Sequence, residues 1–173
     1  KLMADFGGKP MIQRALAATD GLFSRRVVVT RHESVARFCR EWNVEVVLHD
    51  LPHRSDTVRL GLEALGELDC CMFLPGDQPL LRRETVAVLL ETWKKEPNAI
   101  IRPAYEDSEG SPVLFPAWAF PELKNLPEGK GGSVLTKRYA DWVRYVPAQS
   151  RYECFDVDTP ENLAELLQST ESI

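Results

Sequence analysis

The stretch Cys70-Cys71-Met72-Phe73-Leu74-Pro75-Gly76-Asp77-Gln78-Pro79 decides the fold. It opens on an unbroken apolar run with no polar alternation, which predicts a strand buried on both faces. Such strands belong to sheets covered by helices on either side. The run stops at Pro75 and Gly76 and delivers a carboxylate, Asp77. In open α/β sheets ligands bind beyond the carboxyl ends of the strands, so the same ten residues name an architecture and a place to look for chemistry.

Outward from this strand, helical and strand-like segments alternate. The spacing predicts a helix over 10–20, with Pro10 in its first turn, Met11, Ala15, Leu16 and Ala18 on its apolar side, and Gly21 ending it. A β-branched strand follows at 27–30, then a helix at 34–42 and a strand at 44–48. A helix over 55–65 has Ser55 or Asp56 available as its cap. The helix at 84–95 shows Val88, Leu89 and Trp93 at helical spacing. Strands at 99–101 and 112–115 and helices at 132–139 and 160–167 complete the order. The alternation predicts an α/β, Rossmann-like three-layer sandwich with a mostly parallel sheet, as a single domain over 1–173.

Composition narrows the function classes. The 173 residues are 44% hydrophobic and 27% charged, the balance of an ordinary globular domain. No apolar run is long enough to span a bilayer and no signal peptide is visible, so the expected location is cytoplasmic, without a membrane partner. Twenty-six acidic against 21 basic residues leave a net charge of −5, which argues against a nucleic-acid partner. Cys39, Cys70, Cys71 and Cys154 form no Cys-x-x-Cys pair, and His32, His49 and His53 lie away from them in sequence. Neither structural zinc nor a disulfide framework is expected.

The chemistry gathers at strand ends. Asp77, flanked by Gly76 and by prolines that stiffen its loop, is a hard oxygen ligand suited to Mg²⁺. Read alone, the motif favours a turn aspartate bonding its own loop, since Asp is a common turn residue. A second acidic segment, Phe155-Asp156-Val157-Asp158-Thr159-Pro160, is expected to follow a short strand and open the last helix. Alternation puts Asp156 and Asp158 on one face. Asp158 or Thr159 could cap the helix, but capping uses one polar residue and leaves the Asp-x-Asp repeat unexplained. Asp77 with Asp158 is the first candidate metal pair, with Asp156 beside them. The segment His53-Arg54-Ser55-Asp56-Thr57-Val58-Arg59-Leu60-Gly61 places cations and hydroxyls at a helix start, where free N–H groups favour phosphate or ribose. There too a plain cap and a solvated Arg59 would account for the residues. Lys9, in a Gly-rich turn before a helix, has the same two readings.

Together these segments resemble the MobA-like NTP transferases and, within them, the molybdenum cofactor cytidylyltransferase branch. The resemblance is carried by Phe6-Gly7-Gly8-Lys9-Pro10, Arg54-Ser55-Asp56-Thr57-Val58-Arg59-Leu60-Gly61 and Leu74-Pro75-Gly76-Asp77-Gln78-Pro79. It continues through Arg102-Pro103, Gly110-Ser111-Pro112-Val113-Leu114-Phe115 and Asp156-Val157-Asp158-Thr159-Pro160. Each is weak alone, and their ordered series is specific. It implies a nucleotide-diphospho-sugar transferase-like fold with one antiparallel strand, and a Mg²⁺-dependent transfer of CMP from CTP to molybdopterin or the molybdenum cofactor. Lys1, Asp77 and Asp158 would be catalytic, and Asp77, Asp158 and Asp156 would hold the metal. Lys1, Lys9, Ser55, Thr57, Arg59, Gly61, Gly76 and Asp77 would bind nucleotide. Gly110, Ser111, Pro112, Lys130 and Gly131 would line the acceptor side. A molybdenum hydroxylase apoenzyme is the implied recipient of the product. The alternatives are a guanylyl- or sugar-phosphate nucleotidyltransferase of the same fold and a non-catalytic molybdenum cofactor chaperone. The family signature opens with a strand and a Gly-rich phosphate loop of which Lys1 matches the last residue. The expectation is therefore a native chain longer by one strand and one loop, on the order of 15–25 residues.

Overall fold

In the computed structural model the Cys70-to-Phe73 run forms a strand, β3 (Cys70–Phe73). It pairs antiparallel with β6 (Val113–Pro116), in register from Cys70 opposite Pro116 to Phe73 opposite Val113. On its other side β6 meets β4 (Ile100–Tyr105), again antiparallel. β4 pairs parallel with β7 (Val143–Pro147) and turns back on the short β5 (Ser108–Glu109). A separate two-stranded sheet joins β1 (Val27–Thr30) and β2 (Glu45–Leu48) in parallel. Residues 1–171 are described; residues 172–173, the end of the expected 1–173 domain, lie outside them.

The helices are α1 (Met11–Thr19), α2 (Glu33–Glu41), α3 (Arg54–Leu65), α4 (Arg83–Lys95), α5 (Phe120–Leu123), α6 (Ser133–Arg138) and α7 (Pro160–Glu171). Adjacent residues of each strand serve opposite layers, as period-two geometry requires. Cys71, Ile100 and Phe115 pack with Leu62 and Leu65 of α3, Leu123 of α5 and Leu135 of α6. Their neighbours Ile101 and Leu114 pack with Leu89 of α4 on the other face. This gives helices on both faces of a sheet, the α/β layering expected from the unbroken apolar strands.

Several local expectations are corrected. Among the described residues two ladders are parallel and three antiparallel, a mixed arrangement beside the expected mostly parallel sheet with one antiparallel strand. The cause is β6, which lies between β3 and β4 and runs against both, with the β4–β5 hairpin adding the third antiparallel ladder. The short strand expected before Phe155 is a 3-10 turn, Arg151–Cys154. Its Glu153 is buried and accepts hydrogen bonds from the Gln149 amide and the Thr85 hydroxyl. Neither Ser55 nor Asp56 is the N-cap of α3: the helix starts one residue earlier than expected, at Arg54, and its N-cap is His53, whose N–H donates to the Asp56 carboxylate at 3.1 Å. Val88 faces water while Leu89 is fully buried.

The two sheets do not join. β1 and β3 each leave one backbone edge without a ladder partner among the described residues, and these edges border one apolar slot of about 420 Å³. Ile12 and Leu16 of α1, Val27 and Val29 of β1, and Cys71 and Phe73 of β3 line it.

Gly132 shows how tightly the α3–α6 face is packed. A Cβ there would lie 2.8 Å from the ring of Phe115, which is itself buried and has nowhere to move. Gly132→Ala should therefore lower stability by about 1–3 kcal/mol, read as a fall in the urea midpoint. Gly131→Ala, whose Cβ would meet only the flexible side chain of Arg54, should leave that midpoint nearly unchanged.

Candidate functional site

The site is built where β3 ends. Gly76 lies so close to α1 that a Cβ would sit 2.9 Å from Ile12 Cδ1, so the absence of a side chain lets the loop seat against the helix. Asp77 follows at the mouth of a cavity. The second acidic segment is tied to it through the backbone: the Val157 N–H donates to the Asp77 carbonyl at 2.9 Å. Val157 is buried, so Asp156 and Asp158 on either side of it are turned outward. The cap of α7 is Thr159, whose hydroxyl accepts the Asn162 N–H at 3.1 Å. Asn162 Oδ1 in turn accepts the N–H groups of Asp158 and Thr159. The Asp158 carboxylate is thereby left for other work.

That work is ionic. Lys1 Nζ contacts Asp77 Oδ2 at 2.7 Å and Asp158 Oδ1 at 3.0 Å, so one cation bridges carboxylates from two loops. Burial pulls the Lys1 pKa down, but its hydrogen bonds to Asp77 and Asp158 outweigh that and hold it above its ordinary value. Asp156 is the carboxylate that Lys1 does not bond. Its pKa is raised, first by burial and then by the charges of Asp77 and Asp158, against a hydrogen bond from the Gln78 amide that favours the ionised form.

The cavity, of about 560 Å³, brings Lys1, His32, Arg54, Asp77, Asp156 and Asp158 to one wall system. Among the described residues no group of three or more acidic, His or Cys side chains converges as a ready-made metal cage. What the structure shows is two carboxylates reaching a single positive charge within 3.0 Å. That donor set suits Mg²⁺, which takes one or two carboxylates and leaves its remaining positions to water and phosphate oxygens.

The other sequence candidates divide. Gly76 and Asp77 line the cavity with Lys1, Asp156 and Asp158. Lys9 is exposed and does not line it. On α3, Arg59 is turned to Asp56 and Glu63 as a solvated helix face. Gly61 packs against Val29, and the Thr57 hydroxyl lies 3.4 Å from His49 Nε2. Ser55 does not line the cavity either. Gly110, Ser111 and Pro112 sit on the β5–β6 loop, whose Gly110 carbonyl is gripped by Arg102. Lys130 and Gly131 lie on the loop before α6, and Gly131 rests against Arg54. None of these five lines the cavity. Sequence reasoning did not select Arg54, His32 or Ser34, which do line it. The rule that ligands lie past strand ends would have found His32 and Ser34, just beyond β1.

Residues 1–143 match the MobA-like NTP transferase domain, and the chain belongs to that family. It is 33% identical over 102 residues to 3-deoxy-manno-octulosonate cytidylyltransferase of Helicobacter pylori strain G27, covering 56% of this chain and 41% of the relative. The chain thus matches less than half the length of that curated relative. Two solved structures share the fold. One is Rv0371c of Mycobacterium tuberculosis in complex with manganese, with a TM-score of 0.81, 20% identity, and coverage of 98% of this chain and 91% of that one. The other is molybdopterin-guanine dinucleotide biosynthesis protein A of Archaeoglobus fulgidus, with a TM-score of 0.73, 19% identity, and coverage of 100% and 91%. Among the described residues no helix is long and apolar enough to cross a membrane.

The raised pKa of Asp156 fixes a sign. As pH rises past the ordinary carboxylate value, the unfolded chain gives up this proton before the folded chain does. Stability is therefore lost through that window and stays lower above it. Asp156→Asn removes the term. It should raise the melting temperature at pH 7 in the absence of divalent cation, and the gain should shrink below about pH 4. Thermal unfolding at both pH values checks this.

Proposed function

We propose that this protein is a Mg²⁺-dependent nucleotidyltransferase that moves CMP from CTP to the phosphate of molybdopterin or the molybdenum cofactor and releases pyrophosphate. The observation that carries the reading is the pair Asp77 and Asp158, held within reach of one cation in a cavity that Arg54 and His32 also line. An acceptor phosphate oxygen attacks the α-phosphorus of the nucleotide. The bond to the bridging oxygen breaks, and pyrophosphate leaves with the electron pair. Such a transfer needs alignment and charge neutralisation more than a protein nucleophile.

In this reading Asp77 and Asp158, with Asp156 beside them, would hold the metal, which would supply charge neutralisation to the phosphate oxygens. Lys1, which bonds Asp77 and Asp158, would be available to a phosphate oxygen once those carboxylates are otherwise engaged. Arg54, at the first turn of α3, faces the nucleotide, and the Lys130–Gly131 loop, which rests against Arg54, lies toward the acceptor. Support for CTP comes from the name of the Helicobacter pylori relative and from Gly76-Asp77-Gln78-Pro79. A divalent metal is supported by the manganese complex of the same fold, and a pterin acceptor by the Archaeoglobus fulgidus structure. The same relative favours a second acceptor, a 3-deoxy sugar acid.

We further propose that the slot between β1 and β3 receives an extended apolar strand of the same polypeptide, lying ahead of Lys1. Two facing backbone edges without partners and an apolar lining that includes Leu2 support this.

Pyrophosphate release with each nucleoside triphosphate, Mg²⁺ and either molybdopterin or the sugar acid tests the activity. CTP with molybdopterin should give the fastest release, and Asp77→Ala should lower it at least about a hundredfold. Tight pterin binding with no release from any nucleotide would favour a chaperone. For the slot, a chain carrying its natural upstream residues should melt several degrees above residues 1–173 alone, on the order of 2–4 °C per kcal/mol gained; equal melting temperatures overturn the strand.

A further inference from the structure

Gln78 is 2% exposed, yet it is one of the few buried polar side chains of the molecule. Its Nε2 donates to Asp156 Oδ1 at 2.8 Å and to the Cys154 carbonyl at 3.3 Å. Its Oε1 is buried with no hydrogen-bond partner among the described residues. A buried amide with one unsatisfied oxygen is a poor choice for packing, since methionine would fill a similar volume without that penalty. The two donated bonds are therefore what the position provides.

The neighbouring charges show what they do. Asp77 and Asp158 are bonded by the ammonium of Lys1, which cancels their charge. Asp156 instead receives a neutral donor, which fixes one carboxylate oxygen and leaves the charge intact. Asp156 Oδ1 is the oxygen so held, and Asp156 lines the cavity.

We propose that Gln78 is a positioning residue: its amide pins Oδ1 of Asp156 so that the other carboxylate oxygen is presented to a divalent cation in the cavity. This rests on the reading that the Asp77–Asp156–Asp158 group takes such a cation. Gln78 touches no substrate and acts through Asp156. Losing an outer partner of a metal ligand typically weakens metal affinity 10–100-fold.

The test is Mn²⁺ binding to the full chain, followed by electron paramagnetic resonance, for wild type, Gln78→Met, Asp156→Asn and the double variant. Gln78→Met should weaken Mn²⁺ binding about tenfold in the wild-type background and have no further effect once Asp156 is Asn. A role confined to loop stability would instead weaken binding by the same factor in both backgrounds, and that result overturns the inference. Gln78→Leu, run alongside with thermal unfolding of every variant, covers the case in which the methionine variant does not fold. If Asp156→Asn weakens Mn²⁺ binding while neither Gln78 variant does, the positioning role fails alone. If the wild-type chain takes no Mn²⁺, the cation reading fails and this inference with it.

Discussion

The site depends on one backbone hydrogen bond, from the Val157 N–H to the Asp77 carbonyl at 2.9 Å. Three carboxylates carried on two loops repel one another, and without a tie the loops would separate to let water screen the charges. The bond is made between main-chain atoms, so it holds the loops together without consuming any carboxylate. Burial of Val157 in the cluster with Phe6, Met11 and Leu166 reinforces it. The acidic groups are thus held by apolar packing and backbone pairing, and their side chains stay available for cations.

Much of this arrangement was legible in the sequence, and the reason is strand periodicity. An unbroken apolar β3 ending in Gly-Asp implies a buried strand that presents a carboxylate at its end, and Asp-Val-Asp implies two carboxylates turned away from a buried valine. Both readings need only local geometry. β7 was not legible: Val143-Arg144-Tyr145-Val146-Pro147 carries an arginine and a half-exposed tyrosine, and it becomes a strand because β4 offers it a parallel edge. The antiparallel insertion of β6 is likewise a matter of partner choice, which no local pattern records. Arg54 and His32 were hidden for a related reason, since they meet in one cavity only after β1, α3 and the Asp77 loop are assembled.

The helix α3 shows where motif and geometry part. Its sequence offers Ser55, Thr57, Arg59 and Gly61 as a series, yet a helix distributes a series around its circumference. Arg59 is spent on Asp56 and Glu63, and Gly61 on close approach to Val29. Thr57 and Gly61 look into the apolar slot between the sheets. Arg54, at the start of the helix and ahead of that series, is the α3 residue that lines the acidic cavity, and it does so while resting against Gly131 of the neighbouring loop.

The counter-ion arrangement completes the logic of the pocket. A lysine bridging two aspartates neutralises a site that, in the proposed reaction, would accept both a dication and a polyanion. Its raised pKa keeps it charged across the neutral range, so it can follow the negative charge from carboxylate to phosphate without a change of protonation. Asp156, held by the neutral Gln78, receives no hydrogen bond from Lys1 and so stands outside that exchange of partners. In the proposed reaction a cation held by Asp77 and Asp158 would take the place that Lys1 occupies on those two carboxylates, with Asp156 already free of ammonium. Metal and Lys1 would then balance the same two carboxylates in turn, which would let two cationic roles share one cavity.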